Sequence, residues 1–312
     1  MRYRHIFVSA LLGFGSLACL ADAPVAPGAD SYYRRARSMY DTGNYAGAID
    51  QLGRYLDTGA PQLMDEAGLR EQADLLMINA RLMRGEFAQA RMLVAEFCRV
   101  HAGSALVPLA SLAVAESCFY EGLYGDAVRI YAGLPIDSFE PATRAKSRLH
   151  YAISLCECGH YDEARTLFLS LADDPECGDL ALFYAAYTDY VQGDYDNAQK
   201  GFMLVDGETA RRMGVDFYVA QISFNYGNYG SVLEMEQPLL RAASVIDSAA
   251  LPAVAESWRL IGESAYHTGN LAKAEEALRR YVSLYPQAPQ PSARYILGVI
   301  AYGDGRWGEA EE

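Results

Sequence analysis

The chain has 312 residues, 51% of them hydrophobic, enough for two ordinary domains or one extended array of small units. Its formal net charge of -14 excludes a phosphate-binding surface built on clustered Lys and Arg, and with no basic stripe visible nucleic acid is not a partner. The acidity reads as a solvated surface, with attraction to a basic partner as the sharper alternative.

Residues 1–23 differ from the rest. Arg2 and Arg4 form a basic start, Ile6 to Leu20 an apolar stretch and Ala21, Asp22 and Ala23 a small-residue exit. This is the layout of a secretory signal peptide, too short for a membrane span. Pro24 after Ala23 is a poor cleavage neighbour, so Ala21 competes as the cleavage site. Cys19 offers a third reading, lipid attachment after cleavage at Ala18, although Ser16 stands where such signals usually place leucine. These features predict an exported, periplasmic chain, with tethering to the outer membrane through Cys19 as the alternative. Residues 24–30 read as a short linker. No later segment approaches the roughly 20 apolar residues of a transmembrane helix.

From residue 31 to residue 312 one pattern recurs. Gly43, Gly85, Gly122, Gly159, Gly193, Gly227, Gly269 and Gly305 each open a six-residue unit with an aromatic or leucine two positions on, and alanine or valine five positions on. Their spacing, between 34 and 42 residues, is the mark of a stacked repeat array. The seventh unit shows the physics. Trp258, Ile261, Gly262, Ala265 and Tyr266 follow the three-and-four spacing of one helix face. Gly269 then lets the backbone leave the helix with positive φ, and Asn270 favours the same turn. A second helix runs through Ala274, Ala277, Leu278 and Tyr281, and Pro286 stops it. Gly262 and Ala274 mark a close helix crossing. The same small position holds Ala36, Ala115, Ala152, Ala186, Ala220 and Gly298 elsewhere, with Ile78 as the exception. Neither helix buries its apolar face alone, so each pair leans on the next.

The spacing resembles the tetratricopeptide repeat, through Trp258-x2-Ile261-Gly262, Ala274-x3-Leu278 and Pro286, with Ala164-x3-Phe168 and Ala198-x3-Phe202. The resemblance implies an all-α, right-handed superhelical solenoid of about eight helical hairpins over residues 31–312. It departs from the pattern in the sixth unit, where Val232 replaces alanine and Pro238 falls inside the second helix. That layer is expected to be irregular, with a bend or longer connection between residues 236 and 253. The last unit stops at Glu312, a few residues into its second helix. It reads as the front part of a longer protein, or as an end closed by self-association, since a naked end layer exposes apolar surface.

Chemistry-bearing motifs are sparse. Gly303-Asp-Gly305-Arg-Trp-Gly308 satisfies G-x-G-x-x-G but joins two helices instead of following a strand. His101, His150, His160 and His267 are scattered, none with a Cys or carboxylate at metal-ligand spacing. Glu263 and His267, one turn apart, read as a surface pair. The mature cysteines Cys98, Cys118, Cys156, Cys158 and Cys177 are odd in number and read as small buried or half-buried residues, at least one of them unpaired among themselves. The reading is of a non-enzyme without cofactor or metal.

The tetratricopeptide resemblance implies an inner wall lined by the first helix of each hairpin. By register it carries Phe119 and Tyr120, Phe183, Tyr187 and Tyr190, Phe217 with Phe224, and Tyr266. Phe183, Tyr187 and Tyr190, spaced by four and three, share a helix face. The implied function is a scaffold that captures a protein or peptide segment in its groove. The alternatives are packing between repeats for the aromatics, and, for the chain, an accessory or sensory region of a larger envelope protein.

Overall fold

The computed structural model describes residues 31–57, 66–246, 252–285 and 289–310. The expected signal peptide and linker, Cys19 and Pro286 therefore lie outside the described residues. Among these residues the chain is entirely helical, and no helix is long and apolar enough to cross a membrane. Two compact units form, one up to Cys177 and the other from Gly178.

The N-terminal unit is four helical pairs in chain order: α1 (Ser31–Asp41) with α2 (Tyr45–Asp57), α3 (Glu66–Met83) with α4 (Phe87–Val100), α5 (Val107–Tyr120) with α6 (Tyr124–Tyr131), and α7 (Pro141–Glu157) with α8 (Tyr161–Leu169). A 3-10 turn, Ile136–Ser138, precedes α7. Each pair leans on the next: Tyr33, Ala36, Tyr40, Ala48, Leu52 and Tyr55 of the first close against Ala73, Leu76 and Ala80 of α3. Each fully buried large side chain contributes about 1.5–3 kcal/mol.

The C-terminal unit begins with α9 (Gly178–Gln192) and α10 (Tyr195–Phe202) and ends with α15 (Pro252–His267), α16 (Leu271–Leu284), α17 (Pro291–Gly303) and α18 (Trp307–Ala310). Between these groups the regular alternation fails. A short helix, α11 (Gly207–Met213), stands before α12 (Val215–Asn225), and the second helix of that layer is split into α13 (Tyr229–Glu234) and α14 (Glu236–Ile246). The break falls at Met235, and Pro238 sits in the first turn of α14, where its missing N–H is tolerated. The irregular layer is thus the one expected, but much of the segment expected to be bend or connection is the helix α14. Residues 247–251 lie outside the described residues.

All eight turn glycines have positive φ, between 74° and 85°. At Gly193 the amide donates to the Tyr190 carbonyl at 3.1 Å and the next amide, of Asp194, to Asp189 at 2.9 Å. This is the paired closure that ends a helix in a left-handed residue. The Asp194 carboxylate then accepts from Asn197 N–H at 3.2 Å and caps α10. Asn270 does the same for α16. One residue closes one helix and opens the next, which fixes the hairpin. Gly193→Ala forces a side chain into the left-handed region at φ 84°. It should destabilise the C-terminal unit by about 1–2 kcal/mol, read as a lower thermal midpoint.

Candidate functional site: a tyrosine ladder in the C-terminal unit

The stripe predicted on α9 forms, but not as an open wall. Phe183 and Tyr187 stack at 6.3 Å between ring centroids and Tyr187 and Tyr190 at 6.4 Å. Tyr218 of α12 wedges edge-on against all three, at 5.9, 5.8 and 5.3 Å. Phe202 of α10 closes the far side, 5.7 Å from Phe183 and 5.5 Å from Tyr218. Phe183 is consequently fully buried, and Phe217 and Phe119 are buried too. These three were expected on the binding wall; they are core, because the next first helix covers the side of α9 and α5 from which Phe183 and Phe119 project. Tyr120, Tyr187, Tyr190, Phe224 and Tyr266 remain half-buried.

Tyr187 and Tyr190 continue into residues the sequence did not single out. Tyr190 donates its hydroxyl proton to Gln221 and packs at 5.7 Å on Tyr195. Tyr195 meets Tyr226 edge-on at 6.2 Å, and the exposed Tyr226 donates to Asp196 Oδ1 at 2.8 Å. That hydrogen bond and the Asp196 charge beside it raise the Tyr226 hydroxyl pKa. The result is a row of four tyrosines, Tyr187, Tyr190, Tyr195 and Tyr226, running from half-buried to exposed. Its rings are held by one another, Tyr218, Gln221 and Asp196. Such a row offers apolar contact area with hydroxyls already aimed, so little side-chain entropy is left to lose on contact.

The other candidate aromatics have separate surroundings. Tyr120 packs against Phe87 at 6.4 Å and His150 at 5.7 Å in the N-terminal unit. The Arg259 guanidinium lies 5.2 Å over the Phe224 ring, a cation–π contact. Arg259 also holds Glu256 at 2.5 Å and Glu263 at 2.8 Å, and Ser292 donates to Glu263 at 2.7 Å. Burial alone would lower the Arg259 pKa, but the two carboxylates push it well above its usual value, so the side chain stays charged. Glu263 and His267, expected to pair at the surface, are apart in environment. Glu263 is buried in this network, while the exposed His267 stacks on Tyr229 at 4.3 Å.

Two histidines find carboxylates far away in sequence. His101 Nε2 is 3.3 Å from Asp74 Oδ2, and His150 Nδ1 is 2.9 Å from Glu116 Oε2. Among the described residues no group of three or more such side chains is arranged to hold a metal ion. Of the cysteines after residue 23, Cys118, Cys156 and Cys177 are buried and Cys98 half-buried, whereas Cys158, expected to be buried or half-buried, is exposed. Burial pushes the Cys156 thiol up to about 12, and burial with Asp174 does the same for Cys177, which makes both inert.

Helical pairs stacked through their small and large faces, each turned by a left-handed glycine, define a helical-repeat protein. Family models described as tetratricopeptide repeat match residues 30–58 and 237–289. Among solved structures, the chain is similar to a tetratricopeptide repeat protein from Parabacteroides merdae ATCC 43184 (TM-score 0.51, 14% identity, 87% of this chain and 98% of that one). It is similar to the apo form of RapI (TM-score 0.51, 14% identity, 82% and 97%). A third is a signal transduction ATPase with numerous domains carrying a tetratricopeptide repeat sensor, from Pyrococcus horikoshii (TM-score 0.56, 14% identity, 91% and 46%). No curated protein matches the chain at a significant level. Two segments of the chain thus match tetratricopeptide-repeat models and the whole has the fold of tetratricopeptide-repeat structures, a fold that suggests a protein-interaction scaffold.

Proposed function

We propose that the chain is a non-enzymatic scaffold that captures an extended protein or peptide segment along its first helices, with the tyrosine ladder of the C-terminal unit as the contact surface. The observation that carries this is the preorganised row Tyr187, Tyr190, Tyr195 and Tyr226, half-buried to exposed and braced by Tyr218, Gln221 and Asp196. The basic start, apolar stretch and small-residue exit of residues 1–23 support action in the periplasm, with Cys19 as the route to a tether on the outer membrane. A second reading, a sensory or accessory region of a larger envelope protein, draws on the similarity to the repeat sensor of the Pyrococcus horikoshii ATPase.

The test is selection of peptides from a random library on the intact chain, followed by affinity measurement. The Tyr187→Ala, Tyr190→Ala double variant should bind the selected peptides at least tenfold more weakly, about 1.4 kcal/mol, with its helical content unchanged. Phe183 is left intact because its loss would unfold the layer. Equal binding by the two proteins removes the ladder from the site.

A further inference from the structure

The chain builds one guanidinium site from an aromatic ring and two carboxylates, and its own Arg259 occupies it. Arg259 lies 5.2 Å over the Phe224 ring and is gripped by Glu256 and Glu263. The combination suits arginine because the flat cation stacks on the negative face of the ring while its N–H groups, spread in one plane, reach carboxylates at the rim. Arg280 repeats the stacking, 5.1 Å over Trp258.

The exposed end of the tyrosine ladder brings together the same kinds of group. Tyr226, at the close of α12, is 49% exposed, and its ring stands at 86° to that of Tyr195, so the two make a right-angled corner. Two exposed carboxylates border it, both from the start of α10. Asp194 caps that helix through Asn197, and Asp196 accepts the Tyr226 hydroxyl proton at 2.8 Å. The Asp196 hydrogen bond, partial desolvation and the charges of Asp196 and Asp194 raise the Tyr226 hydroxyl pKa, so both carboxylates act on this ring. Elsewhere in the unit, carboxylates that bridge neighbouring helices meet a cation of the chain: Lys273 holds Glu236, and Arg306 holds Glu275 at 2.8 Å. Among the described residues no Lys, Arg or His pairs with Asp196, whose charge is answered by a neutral hydroxyl.

We infer that this corner is an arginine-binding site, so that the segment the protein captures is a basic peptide with one arginine seated on Tyr226 between Asp194 and Asp196. Given the ladder as the contact surface, on which this inference rests, the residues beside that arginine lie along Tyr190 and Tyr187. Tyr226 then does for the partner's arginine what Phe224 does for Arg259, and the two aspartates take the part of Glu256 and Glu263. The net charge of -14 draws a basic segment towards the chain and repels an acidic one. Lysine fits less well, because its compact ammonium makes no flat stack and cannot fork its N–H groups between two carboxylates while lying on a ring.

The experiment measures the affinity of the intact chain for four pools of synthetic nonapeptides, alike except at the central residue, which is arginine, lysine, citrulline or glutamate. The other positions carry mixtures of uncharged residues, and citrulline keeps the size and flatness of arginine without its charge. The arginine pool should bind at least tenfold more tightly than the citrulline pool, with lysine between them and glutamate weakest. In the Asp194→Asn, Asp196→Asn variant the arginine advantage should fall to about twofold while citrulline binding stays as it was. Asparagine still caps a helix and still accepts the Tyr226 hydroxyl, so far-UV circular dichroism and the thermal midpoint should hardly change. Tyr226→Ala should remove the advantage in the same way. An arginine pool no tighter than the citrulline pool, or an advantage that survives the two asparagines, overturns the inference; if citrulline binding is nonetheless lost in Tyr187→Ala, Tyr190→Ala, the ladder stands without it. An advantage that depends on the aspartates, with no pool responding to Tyr187→Ala, Tyr190→Ala, keeps the arginine corner and removes the ladder. No binding by any pool at about 100 μM chain overturns both.

Discussion

Replacing Glu116 by alanine should lower the stability of the N-terminal unit by about 3–5 kcal/mol, more than any surface substitution in the chain. Glu116 lies in α5, only 2% exposed, and its carboxylate is shared. His150 Nδ1 approaches both oxygens, at 3.0 and 2.9 Å, and Tyr131 donates its hydroxyl proton at 2.7 Å. Phe119 stacks flat on the His150 ring at 4.1 Å, and Tyr120 closes its edge at 5.7 Å. Three successive helices, α5, α6 and α7, are tied by one carboxylate. Removing it leaves a buried imidazole and a buried phenol without their acceptor, and each such group costs about 1–3 kcal/mol. The triple replacement Glu116→Leu, Tyr131→Phe, His150→Phe should recover most of the loss, because it removes all the polar partners together and keeps the ring on Phe119. Denaturant midpoints of the three proteins test this; a triple variant no better than Glu116→Ala would mean that packing, not polarity, fails.

The same carboxylate sets an acid limit. Burial alone would raise the Glu116 pKa, but the His150 charge and hydrogen bond, with Lys146 and the Tyr131 hydroxyl, hold it below its usual 4.5. A carboxyl depressed on folding stabilises fully above its unfolded pKa and loses that contribution as pH falls through the folded value. The stability gap between the natural chain and Glu116→Gln should therefore be widest above pH 4.5 and close progressively below it.

What was legible in the sequence followed from backbone chemistry. A glycine that must take positive φ is visible as a glycine, and the small residue seven positions before every turn but the one at Gly85 is visible because small residues suit a close crossing. The extra helix α11 was missed although its signals are local. Asp206 caps it by accepting from Glu208 N–H at 2.9 Å, and Gly214, at φ 68°, ends it. The 34-residue spacing between Gly193 and Gly227 hid it, since α10 is short enough to make room. The burial of the aromatic stripe was only half legible. Three-and-four spacing says that Phe183, Tyr187 and Tyr190 share a face; it does not say that the next layer covers one end of it. Register does say so: ten positions before the turn the chain carries Tyr33, Leu75, Leu112 and Leu149, all buried, so Phe183 and Phe217 belong to the core. The Glu116–His150 pair joins successive layers and the Asp74–His101 pair ties α3 to the end of α4 within one hairpin, and no local spacing announces either.

Gly262→Val should be the most damaging single change in the C-terminal unit, lowering stability by about 3 kcal/mol. A Cβ built on Gly262 of α15 would stand 2.6 Å from Cγ and 2.7 Å from Cδ2 of Leu278 in α16, and 3.1 Å from the Leu278 backbone nitrogen. The side chain of Leu278 can turn away, but it is fully buried against Ala274, Tyr281 and Ile296, so turning moves the clash into the core. The backbone nitrogen cannot turn, and a β-branched residue adds two methyls to the same crossing. Gly262→Ala should lie between, because better helix propensity, worth about 1 kcal/mol, offsets part of the overlap. Gly53 in α2 supplies the opposite sign: no atom lies within 4 Å of its added Cβ, and its φ is not positive. Gly53→Ala should therefore stabilise by about 1 kcal/mol through propensity alone. Thermal unfolding of the two alanine variants separates the causes. If Gly262→Ala and Gly53→Ala shift the midpoint alike, the crossing of α15 and α16 has slack, and the small residue ahead of this turn is not what sets the distance between the two helices.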